Sequence, residues 1–112
     1  MNEHETLVIE TIDEINVYLP KMIKGIGDFI GFGAENGDSK KLLADIFEGL
    51  DWIARAVSLT NKFRPGKMCE YELIDKLPEL IQAYENSDYV LIGDILDYEI
   101  RPVLEKWVNQ MH

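Results

Sequence analysis

Apolar side chains recur along this chain at alternating spacings of three and four. The first series is Val8, Ile12, Ile15, Leu19, Met22, Ile26 and Phe29, which lines one face of a helix. Asn2 with Glu5 three residues later has the form of a capping box. Pro20 and the glycines at 25, 27, 31 and 33 oppose helix formation, yet the apolar register passes through them without slipping. The pattern therefore predicts one helix over about 3–32, kinked near Pro20, with a break into two helices at Pro20 as the alternative. Gly33 to Asp38 has the composition of a turn, and Asp38 or Ser39 can cap the next helix.

The second series is Leu43, Ile46, Leu50, Ile53, Val57 and Thr60, widened by Phe47 and Ala54, and predicts a helix over about 39–63. Arg64-Pro65-Gly66-Lys67 ends it. The third series is Leu73, Leu77, Leu80 and Tyr84, flanked by Ile74 and Ile81. Pro78 lies inside it: either Asp75 is the cap and the proline falls in the first turn, or the helix starts near Glu70 and bends. Asn86-Ser87-Asp88 reads as a turn and cap. The fourth series is Tyr89, Leu96, Ile100, Val103 and Trp107, with Ile92 and Leu104 beside it and a kink expected at Pro102. No stretch alternates with the period of two that marks a half-buried strand. Four amphipathic segments on short loops predict an all-α, up-down-up-down four-helix bundle with proline-kinked helices, filling residues 1–112 as one domain.

Charge narrows the function. Eleven basic residues stand against 21 acidic ones, a net charge of −10. Nucleic-acid binding needs a basic face, so it is not expected, and an anionic membrane surface is disfavoured. The acidic start lacks the basic and apolar regions of a secretory signal, and no apolar run is long enough to span a bilayer. The expected location is the cytoplasm. One cysteine, Cys69, excludes an internal disulfide and a multi-cysteine metal site.

Catalytic chemistry does not assemble. The two histidines, His4 and His112, stand at the two ends of the sequence. Cys69, close to Lys67, has no internal histidine to act as its base. A bundle-core dimetal site uses Glu-x-x-His pairs, and none occurs. Asp45, Glu48 and Asp51, and likewise Asp94 and Asp97, step by three beside or opposite the apolar stripes and read as solvated faces. The glycines from Gly25 to Gly33 follow a helical pattern rather than a strand, so they match neither a dinucleotide fingerprint nor a P-loop. Gly27 and Gly31, one turn apart, offer bare backbone to a bulky neighbour such as Trp52 or Trp107. No cofactor, metal ion or enzymatic activity is expected.

Partner contact is the remaining theme. From Trp52 to Lys67 the chain carries Arg55, Lys62, Arg64 and Lys67 and no acid; from Cys69 to Glu99 it carries nine acids and only Lys76 as a base. Such asymmetry keeps a protein soluble or steers it toward a partner. Leu91, Ile95 and Tyr98 form a second apolar edge on the last helix, the expected partner-binding surface, with an unknown protein or a second copy of the chain as the partner. The alternative is a helix buried at the centre of the bundle.

The segment Asp88 to Leu104 resembles the last helix of small uncharacterised helical-bundle proteins of low-GC Gram-positive bacteria, and that resemblance implies no catalytic signature. In outline the four helices are also similar to flagellar export chaperones, small acidic proteins that hold a partner's segment. The expected function is non-enzymatic: a small cytoplasmic adaptor or chaperone-like protein acting by protein–protein contact, possible as a homodimer. An enzyme or small-ligand binder using the glycine-rich end of the first helix is the alternative.

Overall fold

The computed structural model describes residues 3–32 and 37–111. The first apolar series forms one helix, α1 (Glu3–Phe32), which continues through Pro20. Pro20 itself faces solvent. Val8, Ile15, Leu19, Met22, Ile26 and Phe29 are all buried on one face. The second series forms α2 (Gly37–Phe63), and its stripe from Leu43 through Thr60 is buried at every expected position. The capping role of Asn2 and most of the Gly33–Asp38 turn lie outside the described residues.

The connection that follows α2 is held by the Asn61 side chain. Asn61 donates from Nδ2 to the Met68 carbonyl at 2.7 Å, and its Oδ1 accepts from the Gly66 N–H at 3.1 Å. The third series divides into a single turn, α3 (Tyr71–Ile74), and α4 (Leu77–Glu85). Pro78 lies in the first turn of α4, where its missing N–H costs little. The cap position is Lys76 and it makes no side-chain cap bond; Asp75 instead closes α3. α4 ends in a Schellman arrangement. The Asp88 N–H donates to the Ala83 carbonyl at 2.9 Å, and the Ser87 N–H to that of Tyr84 at 3.0 Å. Ser87 takes the left-handed conformation this requires, with φ of 52°.

The last helix starts at Asp88, whose carboxylate accepts from the Leu91 N–H at 3.1 Å, a standard N-cap. It comprises α5 (Tyr89–Asp94), a π-helical segment (Ile95–Ile100) and α6 (Arg101–Met111). The π segment is dictated from both sides. Ile92, Leu96, Ile100 and Leu104 all reach the core, and three consecutive steps of four would drift by about 40° each on an ordinary α-helix. Wider winding absorbs that drift. Pro102, immediately after, has no N–H for a carbonyl one turn back; the Arg101 N–H already bonds five residues back, to Leu96.

Four rods result: α1, α2, α3 with α4, and the last helix. His4 stacks on Phe63, Tyr18 meets Trp52, and Met22 lies against Gly49, so α1 and α2 run antiparallel. Glu72 pairs with Lys106 and Lys76 with Glu99, which sets α3 and α4 antiparallel to the last helix. The protein is an all-α four-helix bundle with no strand among the described residues. It measures 49 × 22 × 22 Å. Trp107 is fully buried and belongs to one core cluster, to which all four rods contribute aliphatic residues.

Candidate functional site, the groove between the first two helices

The expected partner edge on the last helix is broken. Ile95 is 0% exposed, Leu91 is 37% exposed and Tyr98 is 73% exposed. The π winding turns Ile95 inward beside Leu96, so Leu91 and Tyr98 do not join into a continuous apolar strip. This corrects the expectation of a second edge: the helix spends Ile95 on the bundle core.

The glycine-rich end of α1 is also not what its spacing implies. No tryptophan approaches Gly27 or Gly31. A methyl on Gly27 would meet only Arg101 Nη1, at 3.8 Å, and one on Gly25 or Gly31 would meet nothing within 4 Å. The tight approach is at Gly49, in the middle of α2. A Cβ there would collide with the Tyr18 hydroxyl and the Met22 methyl. The bare backbone lets Tyr18 lie across α2, where it meets Trp52 edge-on, centroids 5.3 Å apart and planes at 61°. Such pairs are favoured beyond the area they bury.

Around that pair lies an open groove of about 740 Å³ between α1 and α2. Val17, Tyr18, Gly49 and Trp52 form its apolar floor, and Val17 is 61% exposed. The rim is acidic on both sides: Asp13 and Glu14 on α1, Asp45 and Glu48 on α2. All four carboxylates face solvent, and none forms an ion pair with a described residue. A smaller hollow of about 120 Å³ continues the groove past Lys21 and Leu42 to Gly25, and there the glycine-rich end meets it. The sequence reading of Asp45 and Glu48 as a solvated face is correct for their exposure, but it missed that α1 brings two further acids opposite them. On each helix the acids stand one turn before the floor residues, Asp13 and Glu14 before Val17 and Tyr18, Asp45 and Glu48 before Gly49 and Trp52, but neither pattern says that the two face one another.

The other candidates stand apart. Asp51 pairs with Arg55 at 2.7 Å, and Asp97 pairs with Arg101. His4 stacks on Phe63 at 4.8 Å, and Cys69 is exposed. His112 lies outside the described residues. Among those residues no three His, Cys, Asp or Glu side chains are grouped to hold a metal ion, and no helix is long and apolar enough to cross a membrane. The Glu72 carboxyl is held below its ordinary pKa, chiefly by the hydrogen bond from Lys106 at 2.8 Å. That pair fastens α3 to α6 and lies outside the groove.

A family model described as a domain of unknown function, DUF8042, matches residues 10–110. The chain belongs to the DUF8042 family. The match takes in α1 from Glu10 onward, both sides of the groove and the π segment, so the DUF8042 domain is the bundle itself. No curated protein and no solved structure matches the chain.

Proposed function

We propose that this protein acts by protein–protein contact, as a small cytoplasmic adaptor or chaperone-like holder without catalytic activity or cofactor, and that the α1–α2 groove receives its partner. The observation that carries this reading is a half-buried aromatic pair beside the exposed Val17, set between two acidic rims that form no ion pair with a described residue. Exposed aromatic and aliphatic surface rimmed by polar groups is the usual anatomy of a protein contact. An active site needs an acid, base or nucleophile held against a reacting atom. The rim carboxylates stand in solvent, and the two thiol and imidazole candidates that are described, Cys69 and His4, lie outside the groove. Leu91 and Tyr98 remain exposed and serve as the comparison surface.

Photocrosslinking in cells tests the assignment. A benzophenone amino acid at Val17 should give one discrete protein adduct, lost when Glu48 is changed to Lys. Adducts at Tyr98 with none at Val17 would move the contact to the last helix and overturn the groove assignment.

A further inference from the structure

We infer that the occupant of the α1–α2 groove is a cationic amphipathic helix of a partner protein, with lysine or arginine on its flanks and apolar residues along its centre. This rests on reading the groove as the partner site and adds what the partner must be made of.

The shape argues for a helix. The groove is the furrow between two antiparallel rods, and its lining repeats at helical pitch: Asp13 and Val17 on one wall, Asp45, Glu48 and Trp52 on the other. A third helix laid along such a furrow offers ridges at the same spacing. Addition of a strand would need a sheet edge, and the described residues form none. The floor supplies apolar area through Val17 and Trp52, with Val17 largely uncovered.

The charge argues for cations. Both rims are acidic, so a segment lying between them passes carboxylates on either side. Lys21 lies beside Asp45 in the adjoining hollow, and Lys41 stands one turn before Asp45 on α2. Neither forms an ion pair with a described residue. The rim charge is therefore left for a ligand. Lysine and arginine also bring long apolar stems to cover the floor, and either cation gains by resting over the Trp52 or Tyr18 ring. An acidic or neutral helix of the same apolar pattern would meet four carboxylates with nothing to offset them.

The test uses the full chain and three synthetic helical peptides sharing one leucine pattern, with lysine and arginine, glutamine, or glutamate at the polar positions. Binding is followed by calorimetry and by amide and indole NMR signals, the buried Trp107 indole serving as an internal reference. The cationic peptide should bind, shift the signals of residues 13–18 and 45–52, and weaken as salt rises from about 0.05 to about 0.3 M. Asp45→Lys with Glu48→Lys should weaken it about tenfold, whereas Glu79→Lys with Glu85→Lys, the same charge change on α4, should leave it nearly unchanged. These rim residues are exposed, so the variants keep the fold. Equal binding of the glutamine peptide in the groove would overturn the cationic requirement and leave the groove as the partner site. Equal weakening by the α4 variant would reduce the effect to general attraction by an acidic body and overturn the inference. Failure of the cationic peptide to shift groove signals would overturn it as well, while the Val17 crosslink reports separately on whether the groove is used.

Discussion

Tyr18 lies with its hydroxyl over the bare backbone of Gly49, in the space where any other residue would carry a Cβ. The glycines of this chain therefore divide into two kinds. Gly25→Ala and Gly31→Ala, with open space at the new methyl, should each stabilise the bundle by about 0.5–1 kcal/mol through helix propensity. Gly49→Ala gains the same propensity but must push Tyr18 and Met22 aside, and overpacking costs about 1–3 kcal/mol. Thermal melts should rank Gly31→Ala above wild type and Gly49→Ala below it. A rise for Gly49→Ala would show that Tyr18 swings out at little cost.

Ile95 and Tyr98 are three positions apart in sequence and at opposite extremes of exposure. Ile95→Ala empties a packed site and should cost about 2–5 kcal/mol, whereas Tyr98→Ala should change stability by about 0.5 kcal/mol or less. Chemical denaturation measures both. Comparable losses would mean that the last helix is wound as an ordinary α-helix, with Ile95 near the surface. By the same logic Ile53→Ala should fall in the larger class, and Arg55→Ala, which loses only an exposed pair with Asp51, in the smaller.

Ser87 holds a left-handed backbone that glycine adopts without penalty. Ser87→Gly should raise stability by about 0.5–1 kcal/mol, since the Schellman bonds stay and the strain goes. Unchanged or lower melting temperature would show that the gain in unfolded-chain freedom offsets it.

Glu72 and Lys106 set an acid limit. A carboxyl whose pKa is lowered by folding takes up its proton less readily folded than unfolded. Its contribution is therefore complete above the ordinary carboxylate range and is lost as pH falls through the lowered value. Both side chains are partly solvated, so the contribution is at most about 1 kcal/mol. Wild type should exceed Glu72→Gln in melting temperature at neutral pH, and the two curves should converge as pH falls below the ordinary carboxylate range. A gap that persists in acid would assign the loss to packing instead of charge.

The bundle was legible because its apolar spacing is regular: every position of the α2 stripe from Leu43 to Thr60 is buried as its period requires, and α1 holds its face through Pro20. The last helix was misread at one point. Ile92, Leu96, Ile100 and Leu104 spell three steps of four, a departure from alternation that signals wider winding, yet the Leu96–Ile100–Val103–Trp107 series looks unbroken by itself. Treating the helix as regular put Ile95 on an outer edge. The groove was not legible from either helix alone. Its acids look solvated on each, and only the antiparallel pairing of α1 with α2, set by the contact at Gly49, brings the two rims together. Long-range juxtaposition of that kind leaves no periodic trace.

The π segment makes the end of the chain depend on counting. An ordinary helix advances about 100° per residue, so the side chains beyond residues 95–100 are aimed by how many residues precede them, as well as by which ones they are. A π segment carries about one residue more than an α-helix turning through the same angle. Removal of the exposed Tyr98 therefore lets the stretch rewind as an ordinary helix with Leu104 and Trp107 still facing the core. Removal of Glu105, beyond the π segment, has no such slack and carries Trp107, the largest buried ring, about 100° out of phase. Single-residue deletions of exposed positions should therefore be tolerated best within the π segment and be most damaging between it and Trp107.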